Sequence, residues 1–325
     1  MPRLRVSTVT VAGVSRYDFQ TIDGQSYLFY PTAGARPVSL IIAGDLGNQF
    51  AWSSGPVDNN VGYLNQLYQT VGIKILRENF DADNYLSSAP YRASILAYAR
   101  NVQAAGMYPI ISPQDFPSGA TQADRITLFY RLITQLADDF KNLPVMLEAM
   151  NEPHVLGAWS TSERTVMVEA VRIIREIDPN AFVIVPTEGY GNGDTSGLAQ
   201  DPITEYHVDL YDYHPYGLTE STLMDGSHAG PMIRANLPVL MGEYGCNGAD
   251  TASIHSQNLG FQNINRLYPN LLAIGAWAWA RSGQDACNLI DTVEVAGSST
   301  TLGLGVGGAQ NLSDYHSWDL GTLLR

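Results

Sequence analysis

The sequence predicts an α/β chain built on a parallel (β/α)8 TIM barrel, and three observations predict it. Short apolar runs of strand character alternate with longer stretches of helical periodicity, the order that lays helices over a parallel sheet. Eight such runs can be counted, the number that closes this barrel. The chain has 325 residues, room for one barrel of about 250 residues with enlarged loops. Its content of 45% hydrophobic and 15% charged residues can bury a large core, and no stretch has the composition of a disordered segment.

Residues 1–37 read as a short N-terminal β-hairpin extension at the bottom of the barrel, and residues 38–325 as the barrel, in a single domain. The first barrel strand is expected at 38–42, followed by a helical stretch near 61–71. The second is expected at 73–76 with helix 89–105, and the third at 107–111 with helix 122–140, whose apolar residues recur at spacings of three and four. The fourth, 145–150, leads to helix 162–177, which Asp178-Pro179-Asn180 stops. The other strands are expected at 182–185, 208–213, 239–241 and 272–280. Residues 296–312, rich in Gly, Ser and Thr, read as a long loop.

Charge and length narrow the function. There are 18 basic against 32 acidic residues, a net charge of −14. That field repels nucleic acid, and no basic stripe offsets it. No run approaches the roughly 20 apolar residues that span a bilayer. The basic start, Met1-Pro2-Arg3-Leu4-Arg5, is followed by a short run broken by Ser and Thr that alternates like a strand, so no signal peptide is read there. Two cysteines, Cys246 and Cys287, cannot make a disulfide framework or a four-ligand zinc site.

Five segments carry chemical groups at the C-terminal ends of expected strands, where catalytic groups of a (β/α)8 barrel gather. In 145–154, an apolar run ends in Asn151-Glu152-Pro153, and the proline stops the strand with Glu152 at the rim. In 238–245, a second apolar run meets a single carboxylate, Glu243, flanked by Gly242 and Gly245, which allow close backbone approach. A carboxylate there must be paired or hydrogen-bonded. Two carboxyls facing each other across the mouth suit glycosidic cleavage, which needs one to protonate the leaving oxygen and one to attack the anomeric carbon.

The other three segments supply support. His214 and Tyr216 are two apart and share a face of an extended segment. The tyrosine hydroxyl can hold the nucleophile, and the imidazole can bond the acid/base or a sugar hydroxyl. Arg77, expected to end the second strand, can keep the nucleophile ionised, or pair structurally with Glu78. Trp277 and Trp279 alternate with alanines. Trp279 lies nearer the strand end, where it can floor a sugar, and Trp277 reads as core. A metal is not expected, because His207 and Asp209 fall on one face of the extended segment and Asp212 and His214 on the other.

With these residues in view, the chain resembles glycoside hydrolase family 5 of clan A, which includes endo-β-1,4-glucanases and β-mannanases. The resemblance runs from about 40 to 280 and is strongest in Glu-Ala-Met-Asn-Glu-Pro-His, 148–154. It implies that Glu152 is the acid/base, that Asn151 contacts a sugar 2-hydroxyl, and that Glu243 in Met-Gly-Glu-Tyr-Gly is the nucleophile. It likewise implies supporting roles for Arg77, His214, Tyr216 and Trp279. The glutamates lie 91 residues apart, about three βα units of some 30 residues, which fits the fourth and seventh strands. One position departs from the family: Gln114 stands near the place where members often carry a histidine, so the substrate subsite beside it is left open.

Cys246 follows the expected seventh strand and Cys287 the eighth. They are neighbours in a barrel, and the pair is either a bridge or two buried thiols. The resulting expectation is a retaining, endo-acting hydrolase of β-1,4 linkages in a polysaccharide, most simply a β-glucan, with no cofactor. A β-mannanase of the same mechanism and a non-catalytic carbohydrate-binding barrel are the alternatives. A polymeric substrate implies a secreted enzyme with no nucleic-acid or membrane partner.

Overall fold

The computed structural model describes residues 64, 75–244 and 251–268, together with the strands at 10–11, 14–15, 18–22, 25–29, 40–43, 271–276, 290–296 and 299–304. Eight parallel strands close a barrel: β1 (Leu40–Ala43), β2 (Ile75–Phe80), β3 (Tyr108–Pro113), β4 (Met146–Glu148), β5 (Phe182–Pro186), β6 (Leu210–Tyr213), β7 (Val239–Tyr244) and β8 (Leu271–Ala276). Each strand pairs with its sequence neighbours, and closure is made by β8 on β1, with Ala273 opposite Leu40 and Ala276 opposite Ala43. The fold is therefore the (β/α)8 barrel that the alternation predicts.

Side chains alternate along each strand between the barrel axis and the surrounding helices. On β2 this sends Arg77 and Asn79 to the axis, while Leu76 and Phe80 join the hydrophobic core. Helix 122–140 shows why the outer layer forms. Thr121 caps it in a reciprocal box with Asp124. Phe129, Leu132, Ile133, Leu136, Ala137 and Phe140 form one buried stripe, each large side chain contributing about 1.5–3 kcal/mol. Arg164–Ile177 buries Val166, Met167, Ala170, Val171 and Ile174 in the same way and ends at Asp178, as the Asp-Pro signal predicts. No helix among the described residues is long and apolar enough to cross a membrane.

The structure corrects the sequence at several boundaries. The second strand runs Ile75–Phe80, so Arg77 is its third residue and not its end. A charged Arg-Glu-Asn triplet looks like a strand terminus, yet its inward members are neutralised by partners from other strands. The Gly/Ser/Thr-rich 296–312 segment is not simply a loop, because Ser299–Leu304 pairs antiparallel with Ile290–Ala296. Gly297-Ser298 stands between the two strands in sequence, a glycine-led dipeptide of the kind that favours two-residue hairpin turns. The N-terminal segment holds two hairpins among its described residues: Thr10–Val11 with Val14–Ser15, and Asp18–Ile22 with Gln25–Phe29. Asp23-Gly24 separates the second pair, a strong turn dipeptide. The helical stretch expected at 61–71 lies outside the described residues except for Leu64.

Candidate active site

Glu243 is the fifth residue of β7 and only 3% exposed. Three donors from two other segments hold it. Arg77 Nη1 donates to Oε1 at 2.5 Å, Asn79 Nδ2 donates to the same oxygen at 3.3 Å, and the Tyr216 hydroxyl donates to Oε2 at 2.8 Å. Burial pushes the Glu243 carboxyl up, but the charges of His214 and Arg77 and the Tyr216 hydroxyl outweigh it. The group is held below its ordinary range, as an ionised carboxylate. Burial pushes Tyr216 well up, and the Glu243 charge adds to it, so the phenol stays a neutral donor.

Arg77 is fully buried and spends its planar fork on three partners. Nε and Nη2 donate to the two oxygens of Glu148 at 2.7 and 3.0 Å, Nη2 donates to Asn151 Oδ1 at 2.7 Å, and Nη1 takes Glu243. Asp212 Oδ2 lies 3.6 Å from Nη2. Glu148 is pushed up to about 8 by its burial, against the pull of Arg77 and with the charge of Asp212 adding to the rise.

Glu152 stands in a different setting. The chain leaves β4, its Ala149 N–H donates to Ile184 O on β5 at 3.0 Å, and its Asn151 N–H donates to Pro113 O at the end of β3 at 2.8 Å. Those bonds set the two residues at the rim. The Glu152 side chain is 21% exposed, and Oε1 meets His214 Nδ1 at 3.0 Å. The other nitrogen of that ring, Nε2, meets Asp212 Oδ2 at 3.1 Å. His214 is completely buried, and its N–H donates to Gly191 O at 2.7 Å. Gly191 has φ +69, and a Cβ on it would sit 2.8 Å from the imidazole Cγ and Nδ1, so the ring needs a glycine there.

Most of the expected residues converge. Glu152, Glu243, Arg77, Asn151, His214 and Tyr216 share one hydrogen-bonded network. Within it, the His214 ring nitrogen and one carboxylate oxygen each of Glu152 and Glu243 lie within 4.8 Å of one another. Arg77 is paired with Glu148 and Glu243, not with its neighbour Glu78. Asn151 uses Oδ1 on Arg77 and Asn79. The structure does not bring Gln114 into the network. Its N–H donates to Phe80 O at 2.8 Å, and its buried Oε1 has no partner among the described residues. Trp277, Trp279, Cys246 and Cys287 lie outside the described residues.

Glu148, Asp212 and Asn79 also belong to this network, and no motif in the sequence assigns them a site role. Each carried a signal, a polar residue two places from an expected site residue on one strand, or inside an apolar run. Asp212 accepts the Gly242 N–H at 2.7 Å, and a Cβ on Gly242 would overlap its carboxylate. The glycine beside Glu243 therefore serves Asp212. His207 and Asp209 pair with each other at 3.0 Å, apart from the Asp212–His214 pair, so the four do not form one ligand cluster.

Comparison with known proteins places this geometry. The family model "Cellulase (glycosyl hydrolase family 5)" matches residues 43–283. Endoglucanase MaCel5A of Microbulbifer sp. (strain ALW1) is 28% identical over 165 residues, which take in 48% of this chain and 31% of that protein. The chain thus aligns with less than a third of the length of that curated relative. Among solved structures, a thermostable, halotolerant GH5 cellulase from an Icelandic hot spring isolate superposes with TM-score 0.71 at 16% identity, covering 96% of this chain and 98% of that one. The catalytic domain of Thermobifida fusca endoglucanase Cel5A, solved with cellotetraose, superposes with TM-score 0.67 at 16% identity, covering 91% and 96%. A barrel of this topology, matched by the family model over most of its length, makes the chain a member of the cellulase family, glycosyl hydrolase family 5.

Proposed function

We propose that the chain hydrolyses internal β-1,4 linkages of a glucan with retention of configuration, using Glu243 as nucleophile and Glu152 as acid/base. The observation that carries this reading is the close approach of the two carboxylates, with nearest oxygens within 4.8 Å. Retaining enzymes hold the two groups about 5–5.5 Å apart, and inverting enzymes need about 6.5–9.5 Å for an intervening water.

In the first step, an oxygen of ionised Glu243 attacks the anomeric carbon. The bond to the leaving oxygen breaks, and Glu152 gives that oxygen its proton. In the second step, a water loses a proton to Glu152 and attacks the same carbon, releasing Glu243. The two settings suit the two tasks. Glu243 is buried among donors that keep it charged, whereas Glu152 is partly open at the rim, where a leaving group and a water can reach it. Neither step needs a cofactor. A polymer of this kind is met outside the cell, and we place the enzyme there.

The deciding experiment follows the anomeric signal of the first product by proton NMR during cleavage of cello-oligosaccharides, mixed-linkage glucan and mannan. The β-anomer should appear first and mutarotate later, fastest on a glucan. An α-anomer as first product would overturn retention, and preferential cleavage of mannan would overturn the glucan assignment.

A further inference from the structure

We propose that Asp212 is a positioning residue that keeps the His214 ring protonated on both nitrogens, so that Glu152 faces an imidazolium throughout the reaction. This rests on the acid/base role given to Glu152 above and adds a residue that the two-step chemistry does not itself use.

The geometry sets the protonation. The carboxylate of Asp212 is fully buried, receives two N–H donors and shares a hydrogen bond with Glu148. The Gly242 N–H lies on Oδ1 at 2.7 Å, and His214 Nε2 lies on Oδ2 at 3.1 Å. The bare backbone of Gly242 fixes how closely β7 approaches that carboxylate. At the other edge of the ring, Nδ1 lies 3.0 Å from Glu152 Oε1 and 3.8 Å from Glu243 Oε2. A neutral imidazole has one donor and one acceptor, but here Nε2 faces the ionised Asp212 and Nδ1 faces, besides the acid/base Glu152, the ionised Glu243, and an ionised carboxylate only accepts.

Among the described residues, the charged and titratable groups around the ring belong to the network: Asp212 and Tyr216 on its own segment, Glu148 and Glu152 from the end of β4, Arg77 from β2, and Glu243 from β7. The cations Arg77 and His214 then face the buried carboxylates of Asp212 and Glu243. Burial alone lowers the affinity of His214 for its second proton, yet the charges of Glu243 and Asp212 raise it well above the ordinary histidine range. Asp212 is correspondingly held below the usual carboxylate range: burial pushes it up, and the His214 charge and hydrogen bond more than offset that.

An imidazolium at hydrogen-bond distance donates to the carboxylate that Glu152 becomes once it has given its proton to the leaving oxygen, and holds it in place for the second step. Asp212→Asn tests this at constant size. The amide has one acceptor where two donors point. With its oxygen on the Gly242 N–H, its NH2 faces Nε2, and the ring must be neutral.

Two readouts follow. Long-range proton–nitrogen NMR should show wild-type His214 doubly protonated well above pH 7 and D212N neutral there, and this needs no substrate. In kinetics, D212N should lose about 10- to 100-fold in kcat, the range for a charge-assisted hydrogen bond, with KM little changed. A neutral His214 in the wild-type protein at pH 7 overturns the proposal whatever the variant does. So does a folded D212N whose His214 is still doubly protonated well above pH 7. If the wild-type protein cleaves no β-glucan, the proposed function fails, and the NMR arm still decides the protonation of His214.

Discussion

Strand β6 carries two Asp/His pairs with the same spacing, one at each end, and the barrel uses them differently. Before the strand, His207 Nε2 lies 3.0 Å from Asp209 Oδ1, and the His207 side chain is 47% exposed. Asp209 also accepts Arg175 Nη2 at 2.8 Å and the Val183 N–H at 2.8 Å, a set that ties helix 164–177 to β5 and β6. At the far end, Asp212 and His214 are sealed from solvent and reach Glu152. The residue types are the same. What differs is the end of the barrel, because only the C-terminal ends of the strands open onto the mouth where loops can admit a substrate.

The contrast can be broken at either end. The largest effect is expected for Glu243→Ala: glucan cleavage should fall to background while oligosaccharide binding, measured by calorimetry, persists. Turnover at the wild-type rate would remove the upper end as the reactive one. Glu152→Gln should cost about 10²- to 10⁴-fold in kcat on substrates with a poor leaving group. The loss should be smaller on aryl glycosides, whose leaving oxygen needs little protonation. Tyr216→Phe removes one hydrogen bond to a charged carboxylate, so kcat/KM should drop about 10- to 100-fold with the melting temperature nearly unchanged.

The lower pair should answer in the opposite currency. Asp209→Ala leaves the Arg175 guanidinium without its carboxylate and should destabilise the fold by about 3 kcal/mol, read by denaturant unfolding, with kcat preserved. His207→Ala, at the exposed rim of that cluster, should stay within about 0.5 kcal/mol. Loss of activity in either variant would show that the two ends are coupled. pH separates them further. Glu243 and Asp212 are held below their unfolded values. Their ionised forms stabilise the fold above the ordinary carboxylate range, and this contribution is lost as pH falls through their folded values. Acid unfolding should therefore track the upper cluster, and D212N should flatten the acid limb of stability.

Much of the site was legible because chemistry and strand ends coincide. Asn151-Glu152-Pro153 and Gly242-Glu243 each join an apolar run to a carboxylate, and His214-x-Tyr216 falls two apart on one face. Arg77 was read as a strand end because three polar residues in succession look like one. It sits inside β2, and its inward neighbour Asn79 shares Glu243 with it. Glu148 carries no local signal of its partner, since nothing nearby in sequence distinguishes a buried glutamate paired with a distant arginine from a polar strand residue. Asp212 has a sequence signal only as a candidate metal ligand beside His214. Its partners lie 30 residues away in Gly242 and two away in His214, and only the first explains the glycine.

The sequence by itself determined the architecture and singled out the two glutamates proposed as the reactive pair. Hydrophobic periodicity decides which faces are buried, and eight strands in alternation leave little choice but a closed barrel. The tertiary structure alone decided the electrostatics of that pair. Whether a carboxylate is charged depends on what surrounds it within a few ångströms, and here those neighbours come from β2, β4, β6 and β7, as many as 166 residues apart. The sequence could place Glu243 at a strand end. Only the fold supplies the arginine, amide and phenol that keep it ionised, and the histidine that joins it to Glu152.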